Sequence, residues 1–471
     1  MPRTTWGQRL WIVFTVICFV TSLVPTPARS FFGELTIEKE KQLGEEFFLQ
    51  LQQYFNLIHD PFLNSYLNAV GQKLVQQVGP QPFDYHFSII DDSSLNAFAI
   101  PGGYVFLNTG LIQLMDNEDE LAGVIAHEIT HIHARHIAKR MNKAKFSTIA
   151  SLIGGLAAVL MGGAAAGPLL MGTQAASESA MLKYSRDDER EADTLGFKWM
   201  TEAGYNPRAM MAIFSKMTRQ RWFQGTEIPV YLQTHPGMDT RIVNISHLIA
   251  THNMNDRTSQ ESPGFTYFKL RLRALCNSPN PVMRDLKRRL AKDPNNVPLL
   301  YCLGLVHQRL GQRSEAIATY QAALAQDSHN KMIKRDLAAL YYESNKTAAA
   351  QALLEELLHS NPRDEVALYY LGRINQDRQH WDEALALFEK VHALNPTFCD
   401  VYYNLGTIYG EKKNLGPAHY YLGLHSRLAK DLSTALFHFR KALSYLGPND
   451  QYYQKTQQEV ARLERMRVRV R

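Results

Sequence analysis

Four dipeptides, Leu303-Gly304, Leu337-Ala338, Leu371-Gly372 and Leu405-Gly406, follow one another at intervals of 34 residues. Ala316, Ala350, Ala384 and Ala418 hold the same interval, and Pro294, Pro362 and Pro396 fall on one grid with Ser328 in the missing place. A period this long, kept on one register through four units, predicts stacked helix pairs, with small residues where paired helices touch and proline at the turn between units. The pattern then slips. Leu422-Gly423 and Ala435 repeat the internal spacing of 13, but Leu422 follows Leu405 by 17, half a period. The helix near residues 416–430 can therefore be the second helix of one unit or the first of another.

The start of the chain points to export. Residues 1–9 (MPRTTWGQR) carry only positive charges, Leu10–Leu23 is an apolar run, and Pro25, Pro27, Ala28 and Ser30 supply breakers and small residues. This pattern predicts a secretory signal over residues 1–30, cleaved after Ala28 or Ser30. The run has 14 residues, short of the roughly 20 that a membrane-spanning helix needs. The residues before Cys18 make a poor lipidation site, so the expectation is a soluble exported chain without an anchor.

An apolar fraction of 45% is that of a globular protein, and the length suggests two or three domains. Cys276, Cys302 and Cys399 lie outside the signal; an odd count in an oxidising compartment permits one disulfide and one free thiol, and spacing does not choose the pair. A net charge of +6 is too diffuse to argue for nucleic acid. It concentrates only in RLERMRVRVR, residues 462–471. Residues 451–471 read as a basic helix or a solvated, frayed tail, with contact to an acidic surface as the alternative.

Residues 36–54 and 60–78 space Leu43, Phe47, Leu51 and Leu67, Val70, Leu74 as helices do, with Asp60-Pro61 starting the second. FDYHFSII (83–90) alternates like a strand, and NAFAIPGGYVFLNTG (96–110) reads as two short strands around a Pro101-Gly102-Gly103 turn. A strand just before the next helix could pair with an extended substrate backbone or could be plain structural sheet.

That helix, opened by a capping box of Asn117 and Glu120, contains VIAHEITHIHARH, residues 124–136. His127 and His131 stand one turn apart on one face and can share a metal, while Glu128 lies about 100° round, placed to polarise water without being a ligand. A third histidine six residues on would complete a metzincin site, but that position is Ile137. The other solution takes a carboxylate from a later helix. Within YSRDDEREADTLGFKWM (184–200), Glu189 can complete a His2Glu set with one position open, and Asp193, four residues on, can accept a hydrogen bond from a ligand histidine. Glu191, on another face, is the second choice of ligand; a solvated acidic face paired with Arg186 and Arg190 is the bland alternative.

His127-Glu128-Ile129-Thr130-His131, then Glu189, Ala192 and Asp193, then Thr234-His235-Pro236 with Arg241 beyond, resemble the gluzincin metallopeptidases, the family of HtpX and the CAAX prenyl endopeptidase. The resemblance implies a zincin-type domain, one Zn2+ per chain on His127, His131 and Glu189, and catalysis of peptide hydrolysis by Glu128. It also implies that His235 and Arg241 approach the site, His235 as transition-state stabiliser or reversible fourth ligand. His133 and His136 are then supporting or surface residues.

Ile149–Met171 holds 23 residues without a charge, long enough to span a bilayer. A single crossing would put His131 and Glu189 on opposite sides of the membrane, so the expectation is an apolar lid that touches membrane-protein substrates or the bilayer surface, or else a re-entrant hairpin. Thr251–Pro263 reads as a linker. The expected architecture is mainly α with a small β-sheet: a metallopeptidase domain over residues 31–250, then an α-helical solenoid over 264–450 that resembles tetratricopeptide repeats. An exported protease with such an array resembles metallopeptidases of the Gram-negative periplasm. That implies action on unfolded or stalled outer-membrane β-barrel proteins, contact with the β-barrel assembly machinery, and roles in barrel maturation and degradation. The alternative is a chaperone-like scaffold whose metal site is largely shut.

Overall fold

The computed structural model describes residues 35–144, 184–223, 229–252 and 262–469. The expected signal (1–30), the apolar stretch 149–171 and most of the polar stretch 251–263 lie outside the described residues.

The first helices start where capping chemistry places them. Thr36 caps α1 (Ile37–Tyr54) and Asp60 caps α2 (Pro61–Val78), where Pro61 occupies a first-turn position whose N–H would be unpaired anyway. Strand β1 (His86–Ile90) follows, then β2 (Ala97–Ile100) and β3 (Tyr104–Asn108) joined through the expected turn. Gly103 sits at φ +103°, and a Cβ there would stand 2.2 Å from the Asp84 carbonyl oxygen.

The sheet order is β1-β3-β2, with β3 parallel to β1 and antiparallel to β2. The strand that immediately precedes the histidine helix is therefore paired on both sides and offers no open edge. The edge strand that packs against that helix is β2. Hairpin spacing reveals one neighbour of β3; the other arrives by a parallel, non-local pairing.

Helices α3 (Thr109–Leu114), α4 (Glu118–His133), α5 (His136–Ala144), α6 (Arg186–Glu202), α7 (Arg208–Phe223), α8 (Val230–Thr234) and α9 (Met238–Thr251) build the rest of the first domain. One apolar core joins α2, the sheet, α4, α6, α7 and α9. It also takes in Phe265, Phe268 and Leu272 of α10 (Pro263–Cys276), whose Ala274 belongs to the next core. The polar stretch before α10 thus does not separate two independent units, because α10 is common to both.

After α11 (Pro279–Leu290) the helices pair: α12 (Val297–Arg309) with α13 (Arg313–Gln326), α14 (Lys331–Glu343) with α15 (Thr347–Ser360), α16 (Glu365–Asp377) with α17 (Trp381–Leu394), and α18 (Cys399–Glu411) with α19 (Leu415–Leu428). The small residues stand where the period puts them. A Cβ on Gly304 would meet the Tyr320 ring at 2.3 Å, and one on Gly372 the Phe388 ring at 2.7 Å. The turn inside each pair passes through a left-handed residue at Gly311, Asn345, Gln379 and Lys413, at φ of 73°, 58°, 62° and 58°. These positions are again 34 apart, but only the first is glycine.

Half a period later Lys430 repeats the turn at φ 65°, and α20 (Leu432–Leu443) folds back on α19, with Phe439 against Gly423. Both readings of the slipped register hold at once: α19 closes one pair and opens the next. The C-terminal helix α21 (Tyr453–Arg469) is packed rather than frayed. Leu463 is buried, and Arg462 lies 3.7 Å from Glu45 of α1.

The array holds the first domain at both ends. Arg271 of α10 pairs with Asp60 at 2.9 Å and with Asp336 of α14 at 2.6 Å. At the far end Leu49 of α1 joins the core of the last repeats, and Lys430 donates to the Phe55 carbonyl at 3.0 Å. Cys276, Cys302 and Cys399 lie on α10, α12 and α18 and form no disulfide; burial pushes their thiols up to about 12, about 12 and about 11.

Gly372→Val drives a branched side chain into the Phe388 ring and is expected to cost about 1–3 kcal/mol. Gln379→Gly relieves a left-handed side chain and is expected to add about 1 kcal/mol. Chemical denaturation of both variants against the parent checks the pair.

Candidate active site

Helix α4 is central, with every residue from Asp119 to Ile132 buried. Its first turn departs from the expected capping box. Asn117 accepts the Glu120 N–H at 3.0 Å, but the Glu120 carboxylate reaches one residue further back to the Asp116 N–H at 2.9 Å and also binds Lys216. Helix α6 is opened by a complete capping box of Ser185 and Asp188. It can lie against α4 because Gly196 presents no side chain there; a Cβ would sit 3.3 Å from the backbone at Ala126 and His127. That close approach brings Glu189 and Asp193 to the two histidines.

His127, His131, Glu189 and His235 meet in one buried cluster whose ligand atoms all lie within 4.8 Å of one another. His127 Nε2 stands 3.0 Å from His131 Nε2 and 3.3 Å from His235 Nδ1; Glu189 oxygens stand 3.0 Å from His235 Nδ1, 3.5 Å from His127 Nε2 and 3.6 Å from His131 Nε2. A tetrahedral ion with ligands at about 2.0–2.1 Å separates its donors by about 3.3 Å. Three imidazoles and a carboxylate at these spacings fit a divalent metal. His235 reaches the cluster from the C-terminal end of α8.

Burial raises the pKa of Glu128, and neither of its oxygens accepts a hydrogen bond among the described residues. His235 Nε2 stands 3.5 Å from its Oε1. An unpaired buried carboxylate is costly unless something is meant to approach it.

Glu189 is the opposite case. Burial pulls it toward the neutral form, but the Arg241 guanidinium at 2.6 Å outweighs this and holds the carboxyl well below its usual range. Arg241 also binds Asp193 through two bonds of 2.8 and 2.7 Å, and Asp193 lies 3.0 Å from His127 Nδ1. The guanidinium is thus engaged with two carboxylates. His127, pulled down by burial, is held up at about 9 by Asp193 and Glu189.

Glu191, the second choice of ligand, stays outside the cluster. It accepts from His136 at 3.2 Å, and His136 in turn meets His131 Nδ1 at 2.8 Å. His133 lies away from the cluster, near Gln81 and Trp199. Sequence spacing did not identify His136 as the partner of His131. Nor did it find Tyr184 and Tyr231, whose rings pack on the cluster: they come from segments with no fixed spacing to the HEITH stretch.

The Peptidase family M48 profile matches residues 61–249, and two tetratricopeptide repeat profiles match 308–373 and 366–398. The chain carries an M48 peptidase domain. The match begins at Pro61, the first residue of α2, so α1 lies outside it, and the domain's metallopeptidase character accords with the buried metal-binding cluster. Among similar proteins, the Beta-barrel assembly-enhancing protease of Yersinia pestis is 27% identical over 77% of this chain and 82% of its own length. The protein of that name from Escherichia coli (strain K12) is 31% identical over 65% of this chain and 64% of its own length. The Mitochondrial metalloendopeptidase OMA1 of Schizosaccharomyces pombe is 28% identical over 50% of this chain and 68% of its own.

Because His127 is held up at about 9, a metal entering the M48 cluster must displace its proton. Metal affinity is therefore expected to rise about tenfold per pH unit between pH 6 and 8. Competition titrations with a chelator across that range check the slope; a flat response would show that no proton leaves.

Proposed function

We propose that this chain is a zinc metalloendopeptidase of the Gram-negative periplasm that degrades misassembled outer-membrane β-barrel proteins and assists the maturation of others. The observation that carries the peptidase reading is the pairing of a four-donor buried cluster with a carboxylate, Glu128, left without a hydrogen bond beside it. The substrate class rests on the names of relatives that align with 77% and 65% of this chain. The location rests on the charged and apolar pattern of residues 1–30.

In this reading His127, His131 and Glu189 hold one zinc ion, and His235 is a fourth, displaceable donor. Bound there, zinc would supply a Lewis acid that polarises a peptide carbonyl and makes water acidic. Glu128 is placed to act as the general base, and would take a proton from the attacking water and return it to the leaving amine. Its pKa, raised by burial, moves toward the range in which a base works near neutral pH. Asp193 holds the His127 ring through Nδ1, and Arg241 fixes Glu189 and Asp193 together; Arg241 is a positioning residue here, acting through the two carboxylates. The helical array presents a surface to the β-barrel protein or to the assembly machinery.

The scaffold reading has its own support. Four protein donors saturate a tetrahedral site, which describes a resting state without a free position. The two readings join if His235 leaves when substrate arrives.

Zinc content and cleavage of an unfolded β-barrel protein, compared for the parent, Glu128→Gln and His235→Ala, test the proposal. The expected result is about one zinc per chain in the parent and in Glu128→Gln, a loss of cleavage of about 100-fold or more in Glu128→Gln, and faster cleavage by His235→Ala. Zinc in every protein with cleavage in none would leave the scaffold reading.

A further inference from the structure

The rings around the histidine cluster form a bracket with an unequal construction. Tyr184 lies flat on His131, centroids 3.7 Å apart at 19°, and the same ring meets His235 at 4.9 Å and 34°. Tyr231 also stacks on His235, at 4.2 Å and 20°. Both tyrosines are buried.

The two do different things. Tyr231 and His235 are one helical turn apart, tied by the His235 N–H to Tyr231 carbonyl bond of 2.8 Å. Any movement of this short segment carries both rings together. The segment is bounded by Pro229 on one side and by Pro236 and Gly237 on the other, with Gly237 in a left-handed conformation at φ +81°. Tyr184 belongs to a different element. It directly precedes the Ser185 cap of α6, so it is anchored with Glu189 and Asp193. Its N–H donates to the Thr234 carbonyl at 3.3 Å, next to His235 in the chain. Tyr184 thus stacks on His131 of α4 and meets His235 with the same ring, while its backbone grips the segment that carries His235.

An imidazole turns about a broad χ2 torsion, so its nitrogen points at a shared ion only where its faces are packed or its far nitrogen is bonded. His127 has Asp193 on its Nδ1, and His131 has His136. His235 Nε2 has no hydrogen bond among the described residues. Its nearest carboxylate on that side is Glu128, with Oε1 3.5 Å away, so the two packed rings supply most of what orients the face.

We infer that Tyr184 is a positioning residue that holds His235 in register with His131, and that its aromatic face sets how readily His235 leaves the metal centre. The inference rests on the reading of the cluster as a metal site with His235 as fourth donor. A stacked aromatic pair shifts an equilibrium by about 2- to 10-fold, enough to tune a displaceable ligand without making it permanent. The hydroxyl plays no part in this role, so phenylalanine should replace tyrosine.

Cobalt(II) in place of zinc gives a visible absorption spectrum that reports coordination directly. The full-length parent, Tyr184→Phe, Tyr184→Leu, Tyr184→Met and His235→Ala are loaded with cobalt, and the spectrum, the cobalt Kd and the thermal midpoint of each are measured. Two non-aromatic replacements are included so that one badly packed variant does not end the test. Tyr184→Phe should match the parent. Tyr184→Leu and Tyr184→Met should move the spectrum toward that of His235→Ala and weaken cobalt binding about 2- to 10-fold. A parent-like spectrum in the folded non-aromatic variants, beside a changed one in His235→Ala, overturns the inference alone. Identical spectra for the parent and His235→Ala overturn the fourth-donor reading and the inference with it.

Discussion

A carboxylate placed in an apolar core is penalised by several kcal/mol unless it is paired, and this site buries three of them within reach of one another. Arg241 makes that possible. Its guanidinium binds Glu189 and Asp193, and Asp193 passes the order on to His127. The charges can share so small a space because α6 closes on α4 through Gly196, where no side chain intervenes. Remove the guanidinium from this arrangement and the two buried carboxylates lose their strongest positive partner, with His127 left to offset them. Glu128 stands apart from that bonded network: among the described residues neither of its oxygens accepts a hydrogen bond, and His235 Nε2 is 3.5 Å away.

The repeats are not an appendage on this centre. Helix α10 contributes Phe265 and Phe268 to the peptidase core while Ala274 starts the repeat core, and Arg271 ties Asp60 to Asp336 across the join. The last repeats return to α1 through Leu49, Lys430 and Arg462. Helix α1 in turn touches the β2–β3 turn, where Gly44 lies so close to Pro101 that a Cβ would stand 2.1 Å from its carbonyl oxygen. Glu40 of the same helix pairs with Arg135, two residues beyond the end of α4, at 2.7 Å. A continuous path of packed elements therefore runs from the end of the array to the histidine helix, the physical condition for one to influence the other.

Much of this was legible because it is local. The 34-residue period, the starts of α1 and α2, the β2–β3 turn and the His127, Glu128, His131 face all depend on residues within a few turns of one another. Local rules also reached their limit visibly. Asn117 and Glu120 have the capping-box spacing, yet Glu120 bonds Asp116 and Lys216 instead, because a lysine from α7 competes for the carboxylate. Asn345, Gln379 and Lys413 take left-handed turns that their residue types do not announce; the stacking of helix pairs imposes them. Where the arginine-rich end begins, read as solvated, Leu463 is buried in the core of the last repeats, which Leu49 of α1 joins from far away in sequence.

The sequence by itself determined the periods: which residues share a helix face, where small residues must stand, and that two histidines one turn apart point the same way. Those follow from backbone geometry, which is the same in every chain. Tertiary structure alone decided that His136 supports His131, that Tyr184 spans His131 and His235, and that β3 is internal to the sheet, while Glu189, the first choice from its helix face, joins the histidines as that face predicted. Each of these is a contact between segments whose separation along the chain carries no period, so only packing, with its demand that buried charges be paired and ring faces be covered, could select it.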